Sequence, residues 1–226
     1  MEKFNFNFNK FEIIRILNMK EFFSELINHK YSETSGWGFA DVDLSGSLVS
    51  ATLLKSVTAY YRIWNAEIGE MERQYYNMVK EIRLYVDFER NLIGIEGSRA
   101  DMNKLKQVLR ELYWKTFLYE DLTITPFGML ELTADNHYLN SIKEVTISDF
   151  NYNNLFLGKY YARPAGSQVS IDEVRPYQDN LAKIKLVLSF DDCFVTMTIS
   201  KTGTLAVECD EDVKYSMLRF LTTNLY

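Results

Sequence analysis

Two pairs of aspartates are the residues best placed by type and spacing to do chemistry. Asp41 and Asp43 alternate with apolar neighbours, so a strand here would project both carboxylates from one face. Asp191 and Asp192 stand between two apolar stretches, at the expected tip of a hairpin. Paired carboxylates hold divalent ions in phosphoryl-transfer enzymes. The structural alternative is that both pairs are ordinary, one in a hairpin turn and one on the solvent side of a strand.

The two strings Ala-Asp-Val-Asp-Leu and Ser-Phe-Asp-Asp-Cys-Phe together resemble the palm-domain arrangement of polymerases and nucleotide cyclases. The resemblance is confined to these strings, and no basic nucleotide-binding motif accompanies them. It implies a divalent-metal-dependent nucleotidyl or nuclease-type enzyme with the four aspartates as metal ligands. No P-loop, Rossmann glycine pattern, nucleophile elbow or His-Glu metallopeptidase motif is present, which favours a protein without catalytic activity.

A second candidate site is the aromatic segment 151–163. Aromatic residues interleaved with Lys and Arg suit stacking on single-stranded nucleic acid, and they suit a protein interface equally well. A third interpretation is a strand with one buried side. The candidate binding residues are Phe156, Lys159, Tyr160, Tyr161 and Arg163. The segment around Tyr60, Tyr61, Arg62 and Trp64 admits the same three interpretations.

Composition indicates a globular protein and disfavours binding to nucleic acid mainly through phosphates. The chain has 226 residues, 47% of them hydrophobic, and a net charge of −6, which disfavours broad phosphate contact with nucleic acid. The first residues lack the apolar stretch of a signal peptide and no segment approaches eighteen apolar residues, so we expect a soluble, cytoplasmic protein. His29 and His137 lack a second metal ligand at a motif spacing, and no cofactor is predicted. Both cysteines, Cys193 and Cys209, are expected to be buried thiols.

The clearest structural pattern runs from residue 81 to residue 112. Apolar residues alternate over 82–88, turn residues follow at 89–91, and alternation resumes over 92–96. Ser98 and Asp101 then form a capping box that begins a helix. A similar strand-turn-strand-helix series spans 194–221, in which Met217 corresponds to Leu105. A third strand precedes each series, which predicts a duplicated β-β-β-α unit; chance similarity is the alternative.

The predicted fold class is α+β, mainly antiparallel sheet, with amphipathic helices packed on one face. We expect an N-terminal α+β part over residues 1–163 and a C-terminal β-β-β-α unit over residues 164–226, packed as one continuous globular domain. The Phe/Asn alternation over 4–13 changes parity, which predicts a bulge near Asn9.

Two further local patterns make predictions. Asn18 and Glu21 predict a second capping box, followed by a helix whose buried stripe is Phe22, Phe23, Leu26 and Ile27. Residues 122–132 predict a hairpin interrupted by Pro126.

The preferred functional hypothesis is a non-catalytic protein-binding or scaffold subunit of a cytosolic complex, whose partner is another protein chain or a second copy. The composition and the lack of metabolic motifs are consistent with a phage, phage-defence or mobile-element system. The alternatives are a single-stranded nucleic-acid-binding protein and the divalent-metal enzyme described above.

Overall fold

The computed structural model describes residues 1–13, 17–113, 116–122, 124–152, 156–164, 170–190 and 193–225, with the backbone alone described at 150–152 and 156. The strands in these ranges are β1 (Glu2–Ile13), β2 (Trp37–Ser45), β3 (Leu48–Asn65), β4 (Glu70–Asp87), β5 (Leu92–Glu96), β6 (Phe117–Asp121), β7 (Leu139–Tyr152), β8 (Phe156–Ala162), β9 (Leu181–Phe190), β10 (Cys193–Ser200) and β11 (Leu205–Cys209). The helices are α1 (Met19–Asn28), α2 (Arg99–Leu112), α3 (Pro126–Asp135), α4 (Ile171–Val174) and α5 (Glu211–Asn224), with a 3-10 helix at Arg175–Asn180.

The strands form one antiparallel sheet in the order β2-β3-β4-β5-β1-β11-β10-β9-β7-β8, and β6 also pairs with β1. The predicted α+β class with an antiparallel sheet is therefore confirmed. The sheet draws strands from both sides of the proposed boundary at residue 163, and the two-part division remains a prediction.

β1 is the central strand and contributes side chains to both faces of the sheet. Phe4, Phe6 and Phe8 belong to one hydrophobic cluster, and Phe11 belongs to another. Successive side chains of a strand point to opposite faces, so the change of parity marks the passage from one cluster to the other. The register with β11, β5 and β6 advances one residue at a time throughout β1. The bulge predicted near Asn9 is therefore wrong.

Each face of the sheet has its own core. On β4, Ile82, Leu84 and Val86 pack in the cluster that contains α1 and α2, which we call the α2 core. Tyr85, at the alternate position, packs in the cluster that contains α3 and α5, which we call the α5 core. The prediction that the helices pack on one face is wrong, because the chain buries both sides of β1, β4 and β5.

Both predicted capping boxes are present. Asn18 and Glu21 cap α1 reciprocally, and Ser98 and Asp101 do the same for α2. The predicted buried stripe of α1 is correct for Phe22 and Leu26, whereas Ile27 is exposed.

α3 replaces the hairpin predicted over residues 122–132. Thr125 is the N-cap, and its hydroxyl oxygen accepts a hydrogen bond of 3.0 Å from the Gly128 N–H. Pro126 occupies the first helical turn, where its missing N–H costs nothing and its fixed φ suits the helix. Pro126, which the sequence predicts to interrupt a hairpin, therefore begins a helix.

The two similar strand-helix series flank β1. β4 and β5 lead into α2 on one side, and β10 and β11 lead into α5 on the other. The two helices cover opposite faces, and the corresponding residues Leu105 and Met217 are both fully buried. The arrangement does not establish that one series was copied from the other.

A buried ion pair joins α5 to β5 across the centre of the sheet. Lys214 Nζ lies 2.7 Å from Glu96 Oε2, and its side chain is 1% exposed. The ammonium also lies 4.3 Å from the centre of the Phe4 ring. Arg83 extends the network, 4.0 Å from Glu96 and 3.6 Å from Glu211. Removing Glu96 would leave the buried Lys214 ammonium without a carboxylate partner, which is strongly destabilising.

The first prediction concerns the two cores. Leu105→Ala and Met217→Ala should each lower the free energy of unfolding by about 2–5 kcal/mol, because each leaves a cavity. Urea unfolding of both variants measures this, with Leu118→Ala at an exposed leucine as the matched control. A loss well under 1 kcal/mol at Leu105 or Met217 would contradict the packing described here.

The second prediction concerns Asp101, which lies in the first turn of α2. Burial opposes its ionisation, but hydrogen bonds from Lys80 and Ser98 outweigh burial and hold the Asp101 pKa at about 2. A lowered folded-state pKa stabilises the fold above the unfolded value, and this stabilisation disappears as pH falls through the folded value. Wild type should therefore lose about 1–2 kcal/mol between pH 5 and pH 2 that Asp101→Asn does not lose.

Urea unfolding across this pH range measures the difference. Asp172→Asn, at a side chain that is 85% exposed, is the control and should keep the wild-type slope. Identical slopes for wild type and Asp101→Asn would refute the assignment.

Candidate protein-interaction surface

β3 and β4 continue as a two-stranded ribbon beyond the body of the protein. Their pairing runs in unbroken register from Ser56 opposite Val79 to Asn65 opposite Glu70. β2 pairs with β3 only as far as Lys55, and β5 pairs with β4 only from Arg83 onward. We call residues 56–79 the arm. No strand in the described part of the chain borders either edge of it.

The turn at the tip follows from local chemistry. Gly69 has φ of +69°, a left-handed conformation that glycine adopts without strain, and its N–H donates to the Asn65 carbonyl at 2.9 Å. The Asn65 side-chain oxygen accepts a second hydrogen bond from the Glu67 N–H at 2.9 Å. At about 3.3 Å per residue, the ten paired rows make the arm roughly 33 Å long.

The arm exposes an unusual amount of apolar surface. Ten of the nineteen exposed large hydrophobic residues in the described part of the chain lie in it. They are Tyr60, Tyr61, Ile63, Trp64, Ile68, Met71, Tyr75, Tyr76, Met78 and Val79, each 40–62% exposed. Soluble proteins rarely keep apolar patches of this kind uncovered, and a lone two-stranded ribbon is only marginally stable in water. Both considerations make the arm a candidate interaction surface.

The two faces of the arm carry opposite charges. Directly opposite residues of an antiparallel pair share a face, and successive pairs alternate between faces. The cationic face comprises Ser56, Thr58, Tyr60, Arg62 and Trp64 opposite Val79, Asn77, Tyr75, Arg73 and Met71. The acidic face comprises Val57, Ala59, Tyr61, Ile63 and Asn65 opposite Met78, Tyr76, Gln74, Glu72 and Glu70. The first contains no acid, and the second contains no base.

Contacts within the cationic face order its aromatic rings but leave its charges unpaired. The Tyr60 and Tyr75 rings lie 5.9 Å apart, and the Arg73 guanidinium lies 4.9 Å from the centre of the Tyr60 ring. Arg62 stands directly opposite Arg73, an arrangement of like charges that is unfavourable without a counter-charge. Within the described residues, neither arginine forms an ion pair with a carboxylate.

The acidic face likewise has contacts between its aromatic rings and charges without ion pairs. Tyr61 and Tyr76 lie 6.0 Å apart, and the Tyr61 hydroxyl donates a hydrogen bond to the Gln74 side-chain oxygen. In the described structure Glu70 and Glu72 also have no ion-pair partner. The sequence pattern favoured no single interpretation of Tyr60, Tyr61, Arg62 and Trp64, and it did not identify residues 70–80 as a strand.

The predicted binding residues of segment 151–163 lie at the other edge of the sheet, on β8. Tyr160 pairs with Ile147 and lines a cleft of about 270 Å³ with Val145, Val174 and other residues. Tyr161 pairs with Thr146, so it points to the opposite face. The structure therefore does not join the two tyrosines into one patch.

The remaining candidate binding residues, Phe156, Lys159 and Arg163, differ in their surroundings. Lys159 is exposed, and the Phe156 side chain lies outside the described residues. Arg163 donates from Nε to the Tyr161 hydroxyl at 2.8 Å and lies 3.1 Å from Glu144. A hydrogen bond from Tyr161 lowers the Glu144 pKa; burial opposes this, and Arg163 lowers the pKa further. A binding role for β8 stays a prediction.

Only one of the two aspartate pairs lies within the described residues. Asp41 and Asp43 are exposed on the edge strand β2, and Asp41 has φ of +49° at a bulge. Asp191 and Asp192 lie outside the described residues, between β9 and β10. β10 lies six strand positions from β2, roughly 29 Å along the sheet at about 4.8 Å per strand. A metal site formed by the four aspartates stays a prediction.

Other potential reactive groups are already engaged or isolated. Among the described residues, no group of three or more His, Cys, Asp or Glu side chains is arranged to hold a metal ion. Cys209 is buried as predicted, and burial raises its thiol pKa, whereas Cys193 is exposed, contrary to prediction. A cleft of about 670 Å³ lies between the β2–β3 turn and α5. Its buried Asp87 already accepts hydrogen bonds from Ser47, Glu89 and Arg90.

Comparison with known proteins gives no relatives. No protein-family model matches the chain, and no curated protein matches it. None of the helices in the described ranges is long and apolar enough to cross a lipid bilayer. Function must therefore be inferred from the surface of the chain itself.

The third prediction separates the two β8 tyrosines. Tyr160→Ala should lower the free energy of unfolding by about 1–2 kcal/mol, because the half-exposed ring lines an apolar cleft. Tyr161→Ala should change it by about 0.5 kcal/mol or less, because its contacts are at the surface. Urea unfolding measures both, and each variant is the control for the other. Equal losses would contradict the assignment of the two rings to opposite faces.

Proposed function

We propose that this chain is a non-catalytic protein-binding subunit of a cytosolic complex and that it docks through the arm. The observation that carries the proposal is the concentration of exposed apolar side chains on a ribbon that no other strand of the described structure borders. Aromatic residues, Met and Arg are the residues enriched at protein interfaces, and all are present on the cationic face.

The arm is longer than the fold requires, which supports a functional role. β9 and β10 form the corresponding hairpin on the other side of β1, and their pairing ends with Phe190 opposite Cys193. That hairpin spans ten and eight residues, whereas β3 and β4 each span eighteen. The excess length is the arm. If the two series are duplicates, as we also propose, the arm is an elaboration of one copy.

The charge balance favours a protein partner over nucleic acid. The arm carries Arg62 and Arg73 against Glu67, Glu70 and Glu72, and the chain has a net charge of −6. Binding along a phosphate backbone draws its free energy from several basic contacts, and an arm with more acids than bases supplies few.

Single-stranded nucleic acid remains a second candidate because of one observation. The cationic face places two arginines among Tyr60, Tyr75 and Trp64, an arrangement that suits stacking on bases. Such binding would weaken steeply as salt rises.

The fourth prediction tests docking through the arm. A variant in which Asn-Gly replaces residues 56–79 joins the directly paired Lys55 and Lys80 through a two-residue hairpin turn. In extracts of the cells that naturally produce the protein, the tagged wild type should migrate well above 26.5 kDa, and the armless variant should migrate as a monomer. Size-exclusion chromatography with mass detection measures this.

The controls make the outcome specific. Phe194→Thr with Tyr215→Thr changes two exposed aromatic residues outside the arm and should preserve the complex. The urea midpoint of the armless variant should remain close to that of wild type. The proposal is wrong if wild type migrates as a monomer or if the armless variant stays in a complex of unchanged mass. Loss of the complex on nuclease treatment would support the nucleic-acid candidate instead.

A further inference from the structure

We infer that the partner of the arm is the arm of a second copy of this chain, with the cationic face of one arm stacked on the acidic face of the next. This inference rests on the proposed function and specifies its partner. It follows from the distribution of charge, because each face supplies the counter-charge that the other lacks.

The four charged residues concerned are exposed and available. Arg62 and Arg73 lie on one face, and Glu70 and Glu72 lie on the other. None of the four forms an ion pair within the part of the chain that the structure describes. Four charges left unpaired on a ribbon this apolar are explained if a charged surface of opposite sign covers them.

The positions of the charges along the arm select a parallel arrangement. Arg62 and Arg73 form the fourth of the five rows on the cationic face, counted from the body. Glu72 lies in the fourth row of the acidic face and Glu70 in the fifth. Two arms that point the same way therefore bring opposite charges together near their tips.

The same arrangement matches the apolar parts of the two faces. In this register Tyr61 and Gln74 of one arm lie over Tyr60 and Tyr75 of the next, and Val57 and Met78 lie over Ser56 and Val79. An antiparallel stack would instead place the arginines over Ala59 and Tyr76 and bury their charge without a partner.

The alternative of two identical faces in contact is disfavoured by charge. Two cationic faces would bring four arginines together, and two acidic faces would bring four glutamates together. A contact between different faces leaves one face of each terminal copy unoccupied, so it can repeat along a stack.

The size of the contact sets its strength. A ribbon roughly 33 Å long and 10 Å wide covers on the order of 330 Å², so two stacked ribbons bury on the order of 700 Å² in total. This is below the range of stable complexes, so a single contact should be weak. Assembly should therefore depend on concentration by mass action.

The experiment is a reciprocal charge exchange on the purified full chain. One variant carries Arg62→Glu and Arg73→Glu, and the other carries Glu70→Lys and Glu72→Lys. Each variant alone has two faces of the same sign and should remain at 26.5 kDa over a roughly hundredfold range of concentration in which wild-type mass rises. Light scattering and sedimentation velocity measure the mass.

An equimolar mixture of the two variants should assemble again, because every contact between unlike variants then joins opposite charges. The association constant of each variant alone should be at least tenfold below that of wild type, and added salt should weaken the wild-type assembly. Recovery in the mixture also shows that both variants are folded. Lys143→Glu with Lys183→Glu is the control, since it makes the same change in net charge at exposed positions outside the arm and should leave assembly intact.

Four results would overturn the inference: monomeric wild type at all concentrations, assembly by either variant alone, failure of the mixture to assemble, or equal loss in the lysine control. If purified wild type is monomeric while the armless variant still loses its complex in cell extracts, the second copy is wrong and docking through the arm stands. Binding of an oligonucleotide by a monomeric wild type would likewise exclude a second copy as the partner.

Discussion

The structure depends on a single strand, β1, that is hydrogen-bonded on both sides and buried on both faces. Its phenylalanines serve the α5 core through residue 8 and the α2 core from residue 11. The asparagines between them form structural hydrogen bonds. Asn9 Nδ2 donates to the Glu120 carbonyl at 3.0 Å and to Asp121 at 2.8 Å, and Asn7 Nδ2 donates to the Gly97 carbonyl. These bonds satisfy buried amides that would otherwise destabilise the strand, and they tie it to β6 and to the start of α2.

Features set by neighbouring residues could be predicted from the sequence. The capping boxes at Asn18 and Ser98 were found because their two halves lie three residues apart. The hairpins of both series were predicted for a similar reason, because in each a short turn separates two stretches of alternating residues. The prediction that the helices pack on one face was wrong because burial of the second face depends on distant parts of the chain. α5 covers Tyr85, and no pattern within β4 shows that its second face is also buried. Lys214 did offer a signal, because it lies three residues before Met217 on the apolar stripe of α5.

Only the first strand of the arm could be predicted from the sequence, and its projection from the body could not. Alternation of side chains is the same whether a sheet face is covered or open, so it does not report what lies above it. Two local signals were present nonetheless. Tyr60 with Tyr61, and Tyr75 with Tyr76, place large aromatic rings on both faces of each strand, and strands of eighteen residues far exceed the usual five or six. The candidate site on β8 was also predicted from its density of aromatic residues. This density alone does not distinguish that segment from the arm.

The central position of β1 also determines the order in which the molecule can be completed during synthesis. Glu2 pairs with Cys209, so one side of β1 is closed by residues that leave the ribosome about 200 residues later. Until then the Phe-rich strand has β5 and β6 as its earliest partners, and the segment Glu2–Phe6 presents an unpaired edge. Closing so long a loop is slow, and an open apolar edge is a site for aggregation or chaperone binding. Nascent chains that stop before β11 should therefore be recognised by the quality-control machinery as unfinished.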